Sequence, residues 1–184
     1  DIGGFHGGNP DDPAFRELLI RWFEYGTFCP VMRLHGDREP HKPPMGSEGG
    51  AACVSGADNE VWSFGDEAYE ILCGYLELRE KMKPYITELM KAAHEKGAPV
   101  MRPLFYDMPD DPKAWEVEDQ YMFGPDVLVA PILFEGARSR EVYLPAGTEW
   151  TNYWTGEKVA GGQTITADAP LAQIPLFTRN GREF

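Results

Sequence analysis

Phe15, Leu18, Leu19 and Trp22 fall on one face at helical spacing within NPDDPAFRELLIRWFEYG, so the apolar pattern predicts a helix over residues 12–25. The punctuation agrees: Asp12 suits the N-cap, Pro13 the first helical position and Gly26 a left-handed exit. The apolar stretch FCPVMRL follows between Gly26 and Gly36 and predicts a buried strand over 29–35. From Gly36 to Glu60 neither period is present. Gly, Pro and charge dominate there, and a loop this long inside a compact domain is functional or mobile. Helical spacing resumes over residues 63–96, first with Tyr69, Leu72, Cys73 and Leu76, then with Ile86, Leu89, Met90 and Ala93. Pro84 predicts a kink between the two sets, and Gly97 with Pro99 predicts the stop.

The period then changes. After PVMRPLFY, the segment DMPDDPKAWEVED (107–119) is rich in acids and proline and marks a boundary. Beyond it VLVAPILF, REVYL, WTNYWTG, QTIT and IPLFTRNG are short strand-like runs between Gly- or Pro-containing turns, so this part reads as an all-β sandwich.

Composition narrows the function. A formal charge of −13 and a pI near 4.7 would repel a phosphate backbone, and no basic stripe reverses that sign locally, which argues against a nucleic-acid partner. The apolar run Val127 to Phe134 is too short for a membrane-spanning segment. Cys29, Cys53 and Cys73 are odd in number and far apart, so they read as free thiols rather than a disulfide framework or a zinc site. The chain opens at Asp1 with DIGGF and no initiator Met, as if cut from a longer polypeptide.

Candidate chemistry concentrates near the start. Gly3, Gly4, Gly7 and Gly8 match neither phosphate-loop spacing and read as sharp turns with close backbone approach. His94 sits near a helix end, where a cation suits the dipole, His41 lies in the loop, and His6 lies among glycines. His35 ends the presumed strand and is either a satisfied edge residue or a ligand-binding group. Arg33 points to the same side of that strand and, if buried, needs a carboxylate, for which Asp1 is the candidate. Asp37 and Glu39 lie on a loop poorly suited to the fixed separation a glycosidase acid pair requires. Trp150, Tyr153 and Trp154 read as packing residues ahead of a sugar-stacking platform.

Taken in order, DIGGF, RWFEYGTFCPVMRLHG, LREKMKPYI, PVMRPLFYDMPDDP, DQYMFGPDVLVAPIL, SREVYLPAGTEWTNYWTGE and IPLFTRNG resemble the C-terminal part of glycoside hydrolase family 31. The RLHGDREP form and the Gly-rich loop after it look most like bacterial α-xylosidases acting on xyloglucan oligosaccharides. The resemblance implies an α/β plus all-β chain: residues 1–106 as the last βα units of a (β/α)₈ (TIM) barrel and 107–184 as the proximal C-terminal β-sandwich domain. Asp1 to Phe5 would end the seventh strand, 29–35 would be the eighth, and 63–96 the closing helix. The family's nucleophile and acid/base aspartates belong to motifs preceding DIGGF, so the resemblance assigns no catalytic residue here. It assigns Phe5 as a wall of the subsite for the cleaved sugar, His35 as a hydrogen-bonding partner of its hydroxyls, and Asp1 and Arg33 as a carboxylate and a guanidinium at the pocket floor. The implied partners are an oligosaccharide substrate and the N-terminal portion of the same enzyme, without a metal or cofactor. A noncatalytic carbohydrate-binding module is the alternative. The sequence fixes no compartment, and the bacterial resemblance leaves periplasm and cytoplasm as candidates.

Overall fold

The computed structural model describes residues 1–184. Helix α1 (Pro13–Thr27) starts as its sequence dictates, with the Asp12 carboxylate accepting from the Ala14 N–H at 3.0 Å. Its buried face is Leu19, Ile20 and Phe23, whereas Leu18 and Trp22 of the expected stripe are 50% and 37% exposed. Gly26 is not the exit either. It lies inside the helix, where a Cβ would stand 2.7 Å from Ile2 Cδ1, so the glycine lets the start of the chain lie against the helix.

Residues 29–35 do not form the expected buried strand. They run beside the N-terminal segment through single parallel bridges, Ile2 to Leu34 and His6 to Asp37, and Val31 is 79% exposed. A buried strand needs neighbours on both edges, and within this chain one edge has none. Two parallel segments joined through α1 still have the connectivity of a β-α-β unit. Arg79 holds the turn after α1, donating to the carbonyls of Cys29 at 2.7 Å and Pro30 at 3.0 Å.

The aperiodic 36–60 region holds a small hairpin, β1 (Arg38–Lys42) antiparallel to β2 (Ser55–Ala57). Its one buried β1 position is an arginine, which is why no hydrophobic alternation announced it. Helix α2 (Asp66–Lys96) continues through Pro84 as one element and stops at Gly97, whose left-handed φ of 67° and N–H to the Ala93 carbonyl close it as expected. Its buried row is Ala68, Leu72, Tyr75, Leu78, Met82, Tyr85 and Leu89, while Tyr69, Leu76 and Met90 of the expected faces are exposed.

The rest of the chain builds two sheets. Strands β3 (Met101–Arg102), β4 (Tyr121–Phe123), β5 (Val127–Val129), β7 (Glu149–Asn152), β8 (Lys158–Ala160) and β10 (Leu176–Thr178) form a six-stranded sheet in the order β3-β4-β5-β10-β7-β8. Strands β6 (Ser139–Leu144) and β9 (Gln163–Asp168) form the second, antiparallel sheet. The six-stranded sheet takes its edge strand from Met101–Arg102, paired with Phe123 and Met122, ahead of the acidic 107–119 segment. Phe123, Val127, Val129 and Leu176 join the core formed with α1 and α2. Met122, Leu128, Trp150 and Phe177 point the other way, to Val142, Leu144 and Ala167 of the second sheet. With both faces covered, Val127 to Ile132 shows no alternation, whereas Leu133 and Phe134 at the end of the same apolar run are exposed. The arrangement is consistent with the expected sandwich.

A buried polar cluster joins the helices to the sandwich. Arg21 donates to Glu24 at 3.0 Å and to the carbonyls of Ala169 at 2.7 Å, Pro170 at 3.1 Å and Ala137 at 3.2 Å. The Tyr75 hydroxyl lies 3.1 Å from the other Glu24 oxygen and accepts from the Ile174 N–H at 3.0 Å. Burial pushes the Glu24 carboxyl up to about 7 from an ordinary value of 4.5, against the pull of Arg21. The folded chain thus holds the Glu24 proton more tightly than the unfolded chain. Its contribution to stability is complete below the unfolded value and is lost as pH rises toward about 7. Glu24→Gln is expected to flatten this part of the pH profile, measured by urea denaturation between pH 5 and pH 8. Parallel profiles for the two proteins would contradict the assignment.

Candidate functional site

Gly3, Gly4, Gly7 and Gly8 all adopt left-handed φ, between 77° and 84°, so the peptide chain reverses repeatedly around Phe5 and His6. This loop is stitched to the segment carrying His35: Asp37 N–H donates to the Phe5 carbonyl at 2.8 Å, Gly7 N–H to the Asp37 carbonyl at 2.9 Å, and Glu39 N–H to the Gly8 carbonyl at 2.9 Å. The Phe5 and His35 rings consequently lie 5.5 Å apart between centroids with their planes inclined at 39°, and His6 meets Phe5 edge-on at 4.5 Å. Phe5 is 51% exposed, so the rings form an open shelf rather than a closed cavity.

Asp1 and Arg33 meet as the spacing predicts. Arg33 donates to Asp1 Oδ1 through Nη2 at 2.6 Å and Nε at 3.2 Å. The expected burial is corrected: the Arg33 side chain is 61% exposed, because the outer edge of its segment has no neighbour in this chain. Such an exposed pair stabilises little in water. Asp37 is paired with His41 at 2.9 Å, and Glu39 is exposed.

The buried guanidinium of this region belongs to Arg38, which sequence reasoning passed over. It is fully buried and meets the carbonyls of Gly4 at 2.6 Å, Gly7 at 2.7 Å and Gly3 at 3.0 Å, with Asn59 Oδ1 at 3.0 Å on Nε. A signal existed in the run of glycines, whose reversed peptides leave carbonyls in need of a donor.

The aromatics of the sandwich are packing residues. Trp150 is fully buried with its indole N–H on the Pro145 carbonyl at 3.0 Å. Trp154 donates to Ile174 at 2.7 Å and meets Tyr75 edge-on. A groove of about 490 Å³ lies between α1 and residues 118–121 and 131–133, lined by Leu18, Trp22, Tyr25, Ile132 and Leu133 and separate from the Phe5 shelf. The better-formed hollow is therefore away from the polar groups that sequence singled out, and chemistry rather than concavity points to the shelf. The cysteines are free, no cluster of three or more His, Cys, Asp or Glu side chains is set to hold a metal ion, and no helix is long and apolar enough to cross a membrane.

An aromatic face beside an imidazole, flanked by an exposed ion pair, suits a neutral ligand rich in hydroxyl groups. Residues 1–89 match the profile of the glycosyl hydrolases family 31 TIM-barrel domain, and residues 97–182 that of the glycosyl hydrolase family 31 C-terminal domain. The chain belongs to glycosyl hydrolase family 31. It is 38% identical to an α-xylosidase of Saccharolobus solfataricus over 98% of its own length and 22% of that protein's. To α-glucosidase 2 of Bacillus thermoamyloliquefaciens it is 37% identical, over 98% of this chain and 20% of that one. A crystal structure of a family 31 α-xylosidase from a soil metagenome, complexed with xylose, superposes with a TM-score of 0.94 at 55% identity, over 99% of this chain and 27% of that one. The chain thus spans about a quarter or less of the length of these proteins.

Proposed function

We propose that this chain is the closing part of a retaining α-glycosidase that removes terminal α-linked xylose, or glucose, from oligosaccharides such as xyloglucan fragments. In this reading Phe5 walls the subsite for the cleaved sugar, His35 binds its hydroxyls, and Asp1 with Arg33 forms the pocket floor. The part up to the end of α2 supplies the last βα units of a (β/α)₈ barrel, with the ends of 1–5 and 29–35 adjacent at its active face, and the proximal sandwich domain starts at the Met101–Arg102 strand rather than at residue 107. The two catalytic aspartates belong to an N-terminal portion of the same enzyme, which also supplies the missing neighbour of the 29–35 edge.

The observation that carries this reading is the 5.5 Å approach of the Phe5 and His35 rings beside the Asp1–Arg33 pair. Similarity to α-xylosidases along almost the whole chain supports the sugar, and similarity to an α-glucosidase keeps glucose as the second choice. Burial of Trp150 speaks against a carbohydrate-binding platform on the sandwich.

The test is turnover of p-nitrophenyl α-xyloside and α-glucoside by the complete polypeptide carrying this segment and by residues 1–184 alone. The short chain is expected to be inactive. In the complete polypeptide, His35→Ala is expected to lower kcat/KM by about 100-fold, because hydrogen bonds to sugar hydroxyls strengthen toward the oxocarbenium-like transition state. Undiminished turnover in His35→Ala, or hydrolysis by residues 1–184 alone, would refute the assignment.

A further inference from the structure

We propose that Arg38 is the positioning residue of the Phe5–His35 shelf: one guanidinium sets the loop carrying Phe5 and the backbone of His35 in a single arrangement. The proposal rests on the sugar-site reading for its consequence in catalysis, but its geometric content is independent of it.

Arg38 is fully buried, and its acceptors include no carboxylate. A buried charge ordinarily needs an opposite one. Here peptide dipoles replace it: besides the carbonyls of Gly3, Gly4 and Gly7, Nη2 reaches those of Ile2 at 3.3 Å and His35 at 3.5 Å. These oxygens converge because the left-handed glycines rotate their peptides inward. Phe5 lies between Gly4 and Gly7, inside the anchored span, and the His35 carbonyl is gathered by the same Nη2. The ring of Phe15 from α1 closes one side, its centroid 5.2 Å from the guanidinium carbon.

The surrounding sequence leaves no space for alternatives. A Cβ on Gly36 would stand 2.1 Å from Arg38 Nη2 and 2.5 Å from the Gly4 carbonyl, and one on Gly56 would stand 2.7 Å from the Arg38 amide. The Gly3 Cβ would fall 3.1 Å from Nη2. Glycines from two separate segments, Gly3 and Gly36, are thus fitted around the Arg38 side chain, and Gly56 from a third lies against its backbone. Lysine cannot substitute, since a single ammonium presents three donors from one point whereas the guanidinium spreads five across a planar fork. Nor is Arg38 itself placed to touch a sugar: it acts through the loop it holds.

The experiment uses the complete polypeptide, with hydrogen–deuterium exchange read by mass spectrometry and kinetics on p-nitrophenyl α-xyloside. Arg38→Lys is expected to raise exchange at least 10-fold in peptides covering the Gly7, Asp37 and Glu39 amides, leaving those of the β6–β9 ladder unchanged, and to lower kcat more than it alters KM. In Arg38→Ala, millimolar guanidinium is expected to restore both protection and turnover at least 5-fold, whereas equal ammonium chloride does not. A purely structural role would give neither the kcat-weighted loss nor the selective rescue.

Exchange and kinetics of Arg38→Lys within two-fold of the parent, or rescue by ammonium equal to that by guanidinium, would overturn the proposal. If Arg38→Ala fails to fold, Asn59→Ala takes its place: it removes the Nε acceptor, together with the Asn59 amide's bond to the Gly36 carbonyl at 3.4 Å, leaves the carbonyls around the guanidinium in place, and is expected to speed the same amides about 3-fold, unchanged rates again overturning the proposal. If His35→Ala leaves turnover intact while Arg38→Lys still loosens those amides, the sugar-site reading fails and the positioning role stands.

Discussion

Arg21→Ala is expected to destabilise the chain by about 3–5 kcal/mol, the usual cost of removing one member of a buried, hydrogen-bonded charge pair. The side chain joins α1 to the 169–173 segment and to Ala137 through four carbonyls, as well as to Glu24. Its loss leaves those acceptors without their donor and Glu24 without its counter-charge. Glu24 can relieve part of the cost by keeping its proton, so the loss is expected to be smaller at pH 5 than at pH 8. The sign follows from the raised carboxyl: without Arg21 the proton is held more tightly still, and the variant's stability keeps falling with pH beyond the point where the parent's levels off. Urea denaturation at both pH values measures this. A loss below about 1 kcal/mol, or one larger at pH 5, would show that the cluster does not join the two parts of the molecule.

Trp150→Ala is expected to cost a similar amount, about 3–5 kcal/mol, by opening a cavity between the two sheets. The ring is fully buried against residues contributed by both sheets, and the guanidinium of Arg179 sits 5.6 Å from its centroid. Trp150→Phe separates the two contributions of the side chain. It keeps most of the apolar contact and leaves the Pro145 carbonyl without its indole donor, for a loss of about 1–3 kcal/mol. Equilibrium denaturation of both variants orders them as parent, Phe, Ala. If alanine were tolerated within about 1 kcal/mol, Trp150 would not be the centre of the sandwich core, and the surface-platform reading would need to be revived.

The helices were legible because capping and stop signals are local. Asp12, Pro13 and Gly97 act on backbone groups within one turn, and each does in the structure what its chemistry requires. The faces were harder. Leu18 and Trp22 satisfy helical spacing as well as Leu19 and Phe23 do, and only the position of α2 and the central sheet decides which pair is covered. The hairpin carrying β1 and β2 was invisible for a related reason, since hydrophobic alternation cannot report a strand whose buried residue is an arginine.

The candidate site divides in the same way. The adjacency of Phe5 and His35 was implied by the family resemblance and the Asp1–Arg33 pair by the strand reading, and both contacts are present. Which guanidinium is buried could not. Arg33 and Arg38 are alike in sequence, but one faces an edge without a neighbour and the other is enclosed by reversed glycine peptides.

By itself, then, the sequence determined what depends on short range: where the chain turns, where the first helix begins and the second stops, where glycine is obligatory, and which family's motifs follow one another. The tertiary structure alone decided which of several equivalent apolar stripes is buried and that Arg38 rather than Arg33 carries the enclosed charge. Burial is the reason for the division: it is a relation between a side chain and whatever packs on it, and a local pattern specifies the first without naming the second.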